Sequence, residues 1–302
     1  MTSVDVTEQL IAEHTITESA PATRGRTRRT IGTGGWVGAA LLALVVLVTV
    51  LAPLLVGDPL EQDFTAILQA PSAAHPFGTD DLGRDILART VFGGRTGLAL
   101  TFLAATVASV LGLTLALLGS LAGGWVDGLT ARLADVQLAV PSIVLAIVVL
   151  SFIGNSFVPI VAVLVLGSWV LTFRIIRGHT RAVVRQPYVE AARVAGAGPG
   201  AIAWRHLIPS VLPLFFVALT LSASSALLLE ASLGFLGLGV QPPEPDWGQM
   251  VAAGRDSLST SPLISVVPGL VVVVTAVALQ LLGDGLAERF VGRDAIRTGV
   301  SR

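Results

Sequence analysis

Six long apolar runs constrain this chain more than any other feature of its sequence. Each is roughly 17 to 28 residues long, the length that an α-helix needs to cross a hydrocarbon core about 30 Å thick. Only 13% of the residues are charged and 53% are hydrophobic. The sequence therefore predicts an all-α polytopic membrane protein with six transmembrane helices. These spans cover residues 36–56, 97–122, 136–153, 157–173, 211–238 and 262–283.

The arginines predict the orientation of the six spans. The chain has no lysine, so its 19 strongly basic side chains are all arginine, and most of them lie in segments that share one side of the membrane. By the positive-inside rule that side is the cytoplasm, where both termini should also lie. Within a six-span domain of residues 36–286 we expect two cytoplasmic loops, a short one that contains Arg132 and a long one over residues 174–210. A flexible N-terminal tail (1–35) and a C-terminal tail (287–302) should lie on the same side.

The residue types that are absent exclude several kinds of chemistry. Without cysteine there can be no thiol nucleophile, CxxC redox pair or disulfide. A P-loop needs a lysine to reach the β- and γ-phosphates, and a Schiff-base enzyme needs a lysine amine. The chain therefore cannot itself be a standard P-loop ATPase.

Residues 188–213 form the only long polar interruption in the second half of the chain. Residues 188–195 contain good helix formers, and the glycines and proline of residues 196–200 should end that helix, because glycine tolerates positive φ and proline cannot continue a helix. A second short helix is predicted over residues 201–207. The result is a helix, a sharp bend and a second helix.

Residues 75–85 group one histidine with several carboxylates. Hard cations bind clustered oxygen ligands, but the spacing here matches no EF-hand loop. Asp80 and Asp81 can instead cap a helix that begins near Leu82 and favour its positive end. We expect the cap and no bound metal ion.

Glu230 is the only ionisable residue well inside a predicted span. Such residues are rare and costly in hydrocarbon. We expect its side chain to face protein or a cavity, because small residues lie at i±4 spacing on the same helix face. Three interpretations remain open: a structural carboxylate bonded to a neighbouring helix, a residue that lines a solute pathway, and a proton-coupling site. The small residues on its face are Ala218, Ser222, Ala226 and Gly234.

Two further patterns predict how the spans pack. A ridge of small residues at i+4 spacing in the second span should let another helix approach closely. Pro141 should kink the third span, since proline removes a helical hydrogen bond. The ridge consists of Ala108, Gly112, Ala116 and Ser120.

The polar loop resembles the cytoplasmic motif of the integral-membrane permease subunits of binding-protein-dependent ABC importers. That motif reads Glu-Ala-Ala, three residues, Gly, nine residues, Ile-x-Leu-Pro. His206 stands in place of its isoleucine and Ile208 in place of its leucine, a departure typical of the peptide-importer subgroup. The candidate coupling residues are Glu190, Ala191, Ala192, Gly196, Ala197, Gly198, His206 and Pro209.

Three further segments resemble the C-type permease of dipeptide, oligopeptide and nickel importers: residues 75–85, 230–248 and 282–286. The resemblance covers about residues 36–286, and it weakens beyond them, where Val291-Gly292-Arg293 replaces the usual Asp-Pro-Arg. The first segment, expected on the extracytoplasmic side, contributes Gly78, Thr79, Asp80, Asp81, Gly83, Arg84 and Asp85.

This resemblance implies a type I ABC importer permease fold in a bacterial cell membrane. It implies a second homologous permease subunit, two cytoplasmic ATPase subunits and an extracytoplasmic substrate-binding protein as partners. Residues 190–209 would form the coupling helix that docks in a groove of an ATPase subunit and carries its closure to the spans. ATP and magnesium would then bind to the partners, and no cofactor or nucleic acid to this chain.

Several alternatives concern the cargo and the class of protein. Di- or oligopeptides are the expected solutes, and nickel, glutathione or haem importers share the architecture. An intramembrane aspartyl protease would need two facing aspartates in the spans, and a rhomboid-like protease would need a histidine there; the sequence has neither. A stand-alone secondary transporter would more naturally show several intramembrane polar groups and inverted repeats.

Overall fold

The structure is a computed structural model that describes residues 32–290. Within that range the chain forms helices and loops and no β-strand. Most of the two predicted tails, residues 1–31 and 291–302, lies outside the described residues. The helices are α1 Thr33–Val50, α2 Ala52–Leu55, α3 Ile86–Ala122, α4 Gly124–Ala139, α5 Ser142–Ile153, α6 Phe157–Val184, α7 Pro187–Val194, α8 Pro199–Ile202, a π-helical turn Ala203–Leu207, α9 Ile208–Phe235, α10 Trp247–Ala253, a 3₁₀ turn Gly254–Ser257 and α11 Leu263–Phe290.

Five of the described helices are long and apolar enough to cross a membrane: α1, α3, α6, α11, and α9 taken with α8 and the π turn. A sixth span results if α4 and α5 count as one broken helix, with an 86° bend between them. Pro141 lies at this bend with an extended backbone, ψ 125°. The predicted kink at Pro141 is confirmed, and the chain is an all-α polytopic membrane protein.

Helices α3 and α6 lie in close contact along a ridge of small residues. All four small residues predicted to form this ridge are buried on α3. A methyl group added at Gly112 would lie 2.6 Å from the carbonyl oxygen of Trp169 and 2.8 Å from the amide nitrogen of Phe173. The two backbones therefore touch at Gly112, which confirms the close approach that the ridge predicts.

Helices α1 and α9 pack against α11. A methyl group at Gly38 of α1 would lie 2.6 Å from the amide nitrogen of Leu282 of α11. On α9, the small residues predicted to face inward are buried, as is Glu230. The bundle has two ends, which we call the loop end, where residues 185–207 lie, and the hairpin end, where residues 236–246 lie.

Helix α11 extends past its predicted end at residue 283 to Phe290, and two further helices extend past the apolar runs that predicted them. Helix α3 begins at Ile86, well before residue 97, because its polar first turns are packed within the protein: Arg89 is 5% and Thr90 3% exposed. Helix α6 continues past residue 173 to Val184, so the first part of the predicted loop 174–210 is helical. Both extensions lie beyond the apolar stretches, where hydropathy carries no signal.

Candidate functional site

The candidate loop consists of two short helices with a sharp bend between them. Helix α7 ends in a turn at Gly196, which has a φ of 88°. The amide of Gly196 donates to the carbonyl oxygen of Arg193, and the amide of Ala197 donates to that of Ala192, each at 2.9 Å. This pair of bonds is a Schellman C-cap, which requires a left-handed residue and favours glycine there. The helix, bend and second helix predicted from the sequence are present.

The loop is anchored to the bundle by a small hydrophobic cluster. Val189 of α7, Ile202 of α8 and Leu207 of the π turn are each at most 2% exposed. They pack with Val183 of α6 and with partly buried leucines at the end of α3. This buried apolar cluster attaches the loop to the ends of α3 and α6.

The opposite face of the loop exposes large apolar side chains. Val194 is 86% exposed and Trp204 is 73% exposed, whereas the ring of Tyr188 packs at a tilt against that of His206, with ring centroids 5.8 Å apart. The side chain of Glu190 is exposed and makes no hydrogen bond or ion pair with any described residue. The remaining candidate residues of the loop are exposed (Ala191, Gly196, Gly198, Pro209) or half-buried (Ala192, Ala197, His206).

An ion pair joins α4 and α6 at the loop end. Arg177 of α6 donates two hydrogen bonds to the carboxylate of Asp127 of α4, at 2.6 and 2.8 Å. Arg181 lies 3.7 Å from the same carboxylate. This pairing was not predicted from the sequence, which shows only that each residue stands near the end of an apolar run.

The segment 75–85 folds tightly at the hairpin end around the buried carboxylate of Asp80. One oxygen of Asp80 accepts from the amides of Leu82 and Arg84, both at 2.9 Å, and the other accepts from Arg84 Nε at 2.8 Å. Arg89 Nε lies 3.4 Å from the same carboxylate. Thr79 is fully buried and donates to the carbonyl oxygen of Ala66.

The prediction that Asp80 and Asp81 cap the helix of this segment is wrong. Helix α3 begins at Ile86, and its N-cap is Asp85, whose Oδ1 accepts from the amide of Ala88 at 2.7 Å. The carboxylate of Asp80 instead stabilises the turn that precedes the helix. Gly78 and Gly83 permit this turn, because their φ values are 80° and 73°. Asp81 is exposed and reaches Arg84 only at 3.8 Å. Residues 32–290 contain no group of three or more side chains placed to hold a metal ion.

Glu230 lies at the hairpin end of α9 and is 1% exposed. The prediction that it faces protein is confirmed. Its carboxyl group faces Asp246, which is also 1% exposed and caps α10 by accepting from the amide of Gln249 at 2.8 Å. The sequence indicated the hairpin of residues 240–248 as a unit but gave no sign that Asp246 would be the partner of Glu230.

The chain matches the family model described as "binding-protein-dependent transport system inner membrane component" over residues 82–293. Among the curated relatives is the dipeptide transport system permease protein DppC of Alkalihalophilus pseudofirmus, 35% identical over 83% of each chain. The probable peptide ABC transporter permease protein y4tQ of Sinorhizobium fredii is 39% identical over 84% of this chain and 87% of its own. The glutathione transport system permease protein GsiD of Pectobacterium atrosepticum is 36% identical over 75% of each.

A solved structure of the MetNI methionine ABC transporter in inward-facing conformations has the same fold. The superposition gives a TM-score of 0.54 at 20% identity, and it covers 72% of this chain and 98% of the other. The described helices thus adopt the type I ABC importer permease fold. Together with the family match over residues 82–293, this shows that the chain belongs to the family of binding-protein-dependent transport system inner membrane components.

Proposed function

We propose that the chain is one of two homologous permease subunits of an ATP-driven peptide importer in a bacterial cell membrane. In this assembly two ATPase subunits bind at the loop end, and an extracytoplasmic binding protein delivers solute at the hairpin end. The family match supports the role of permease, and the arginine-rich loop supports a cytoplasmic position for the loop end. The loop end and the segment of residues 57–85 then lie on opposite sides of the membrane.

The geometry of the loop is the observation that carries the coupling role. One face of the loop is anchored by Val189, Ile202 and Leu207, and the other exposes Val194 and Trp204 to solvent. Large apolar side chains are costly to expose to water, and a partner that covers them relieves this cost. Because the anchored face packs on α3 and α6, a displacement of the docked face is transmitted to the spans.

ATP hydrolysis belongs to the partner subunits in this proposal. The chain has no lysine to serve a P-loop, so ATP and Mg²⁺ bind elsewhere in the complex. The chain contributes half of the solute pathway and the mechanical link to the ATPases. No catalytic residue is assigned to it.

Peptides are the proposed solutes, because relatives that are similar over most of the chain are named as dipeptide and peptide permeases. Another relative is named as a glutathione permease, and glutathione is itself a small peptide. Nickel and haem importers of the same architecture are the alternatives. A stand-alone secondary transporter is a second class of function, in which uptake would need no ATPase partner.

The experiment that tests this function measures ATP-dependent peptide uptake and ATP hydrolysis in proteoliposomes that contain the purified complex. Gly196→Asp places a branched side chain at a φ of 88°, in open space, so it distorts the bend of the loop without disturbing the bundle. We expect this variant to hydrolyse ATP but to lose most of its uptake. Gly128→Asp adds the same charge in open space on α4 and should retain both activities.

Two results would count against the proposal. Wild-type uptake by the Gly196→Asp variant, at normal levels in the membrane, would exclude a coupling role for the bend. Uptake by the chain without any ATPase subunit would favour the secondary transporter instead.

A further inference from the structure

Glu230 and Asp246 form a pair of buried carboxyl groups at the hairpin end. Glu230 is on α9, and Asp246 is the last residue before α10. Each is 1% exposed, and the two carboxyl groups face each other where Gly234 and Gly239 bring the hairpin onto α9. Two acidic side chains are therefore in contact in a place that water does not reach.

Three of the four oxygens in this pair have no hydrogen-bond donor among residues 32–290. They are both oxygens of Glu230 and Oδ2 of Asp246. The fourth, Oδ1 of Asp246, accepts from the amide of Gln249. An unpaired buried polar atom is costly, and more so if it is charged. Two ionised carboxylates at this distance would add their mutual repulsion in a low-dielectric site.

No cation among the described residues offsets this repulsion. Asp246 is the only ionisable group there that acts on Glu230. On α3, a methyl group added to Gly97 would lie 3.7 Å from both carboxylate oxygens of Glu230. The two arginines of α3 are engaged elsewhere, Arg89 with Asp80 and Arg95 over the ring of Phe92.

The charged residues of the other neighbouring helices lie at the loop end, away from the pair. Helix α1 has no charged residue, and α10 has none after its cap. The ionisable residues of α6 and α11 stand in the C-terminal halves of those helices, which reach the loop end. Glu230 thus has Asp246 as its one charged neighbour among the described residues.

Glycines hold the two carboxyl groups together. A methyl group on Gly234 would overlap Oδ1 of Asp246, and one on Gly239 would lie 2.6 Å from the Cα of Gly234 and 3.4 Å from Oδ2 of Asp246. The hairpin is therefore pressed against α9 at the position of Asp246. The carboxyl groups cannot move apart unless the hairpin leaves α9.

We propose that Glu230 and Asp246 bind one proton between them at neutral pH, with Glu230 as the donor and Oδ2 of Asp246 as the acceptor. The proton removes one negative charge and supplies the donor that Oδ2 of Asp246 lacks. The resulting O–H···O bond fastens the hairpin to α9. The pair is a built proton site, and the proton is a structural part of the hairpin end.

Infrared spectroscopy tests this proposal on the whole transporter complex, purified through a tag on this chain and reconstituted in nanodiscs at neutral pH. The carbonyl stretch of a protonated carboxylic acid is resolved from the carboxylate bands. We expect such a band in the wild type, and we expect it to shift when glutamate is labelled with ¹³C at the side-chain carboxyl group. Absence of the band, or a band that shifts only with labelled aspartate, overturns the proposal.

Three variants assign the band to the pair. Glu230→Gln should remove it, because the amide donates to Asp246 in place of the proton. Asp246→Asn should shift the band without abolishing it, because burial still disfavours the charged form of Glu230 while its O–H then donates to a neutral amide oxygen. Glu244→Gln, an exposed change in the same hairpin, should leave it intact. A band that persists in Glu230→Gln, or one that Asp246→Asn leaves unshifted, contradicts a shared proton.

Discussion

The indole N–H of Trp247 donates a hydrogen bond of 2.7 Å to the backbone carbonyl oxygen of Thr90. Trp247 is 1% exposed and packs in the central hydrophobic cluster with residues of α3, α9 and α11. A single side chain at the start of α10 thus ties the hairpin end to the first turns of α3.

Substitution of Trp247 should separate the hydrogen bond from the packing. We expect Trp247→Phe to lower the free energy of unfolding by about 1 kcal/mol for the lost bond. Trp247→Ala should cost about 3–5 kcal/mol, because it also leaves a cavity. Thermal unfolding in detergent measures both, with Trp125→Phe as the control at a side chain that is 74% exposed. Equal effects of Phe and Ala would show that the packing of the ring does not matter.

The ion pair between α4 and α6 should contribute more to stability than a similar pair nearby. Asp127 is 13% exposed and accepts two bonds from Arg177, so we expect Asp127→Asn to cost about 2 kcal/mol. Asp135 pairs with Arg174 at 2.7 Å, but these side chains are 65% and 54% exposed. Asp135→Asn should therefore cost less than about 0.5 kcal/mol. Thermal unfolding of the two variants gives the comparison. Equal losses of stability would show that the ion pair of Asp127 with Arg177 contributes no more than the exposed pair.

The contact of α3 with α6 at Gly112 can be tested with one methyl group. Gly112→Ala places that group 2.6 Å from the backbone of α6, which must shift, and we expect a loss of about 1–3 kcal/mol. Gly178→Ala adds a methyl group in open space on α6 and should be neutral or stabilise by up to about 1 kcal/mol, since alanine favours helix. Chemical or thermal unfolding of the two variants gives the comparison. A neutral Gly112→Ala would mean that the helices are farther apart.

Asp85 and Asp81 distinguish the observed helix cap from the one predicted from the sequence. We expect Asp85→Ala to lower stability by about 1–2 kcal/mol, because it removes the cap of α3 and the 2.9 Å contact with His75. Asp81→Ala should change it by less than about 0.5 kcal/mol, since this carboxylate is 66% exposed. Asp85→Asn, which keeps a capping oxygen, should recover part of the loss. A larger effect of Asp81→Ala would indicate that Asp81, and not Asp85, caps the helix.

Features that depend on spacing within one helix could be predicted from the sequence. The small-residue ridge of α3, the bend at Pro141 and the inward position of Glu230 all follow from local periodicity or backbone chemistry. The helix, bend and helix of the loop follow from its glycines and prolines for the same reason. The structure bears out each of these.

Features that depend on contacts between distant segments could not be predicted. Asp246 meets Glu230 only because Gly234 and Gly239 let the hairpin approach α9, and no pattern in one segment records that contact. Asp127 and Arg177 are likewise far apart in sequence. The sequence shows that these charged residues lie in or near apolar runs. Only the packed bundle shows which of them are in contact.

We propose that the loop between α6 and α9 docks on an ATPase subunit. A site-specific cross-link is the most direct test of this docking. A photoreactive phenylalanine in place of Val194, which is 86% exposed on the loop, should cross-link to an ATPase subunit of the assembled complex on illumination. The same residue in place of Leu54, which is 82% exposed near the hairpin end, serves as the control and should give no such product. We predict an ATPase adduct at position 194 and none at position 54. An adduct at position 54, or none at position 194 in a complex that still transports, would contradict the account.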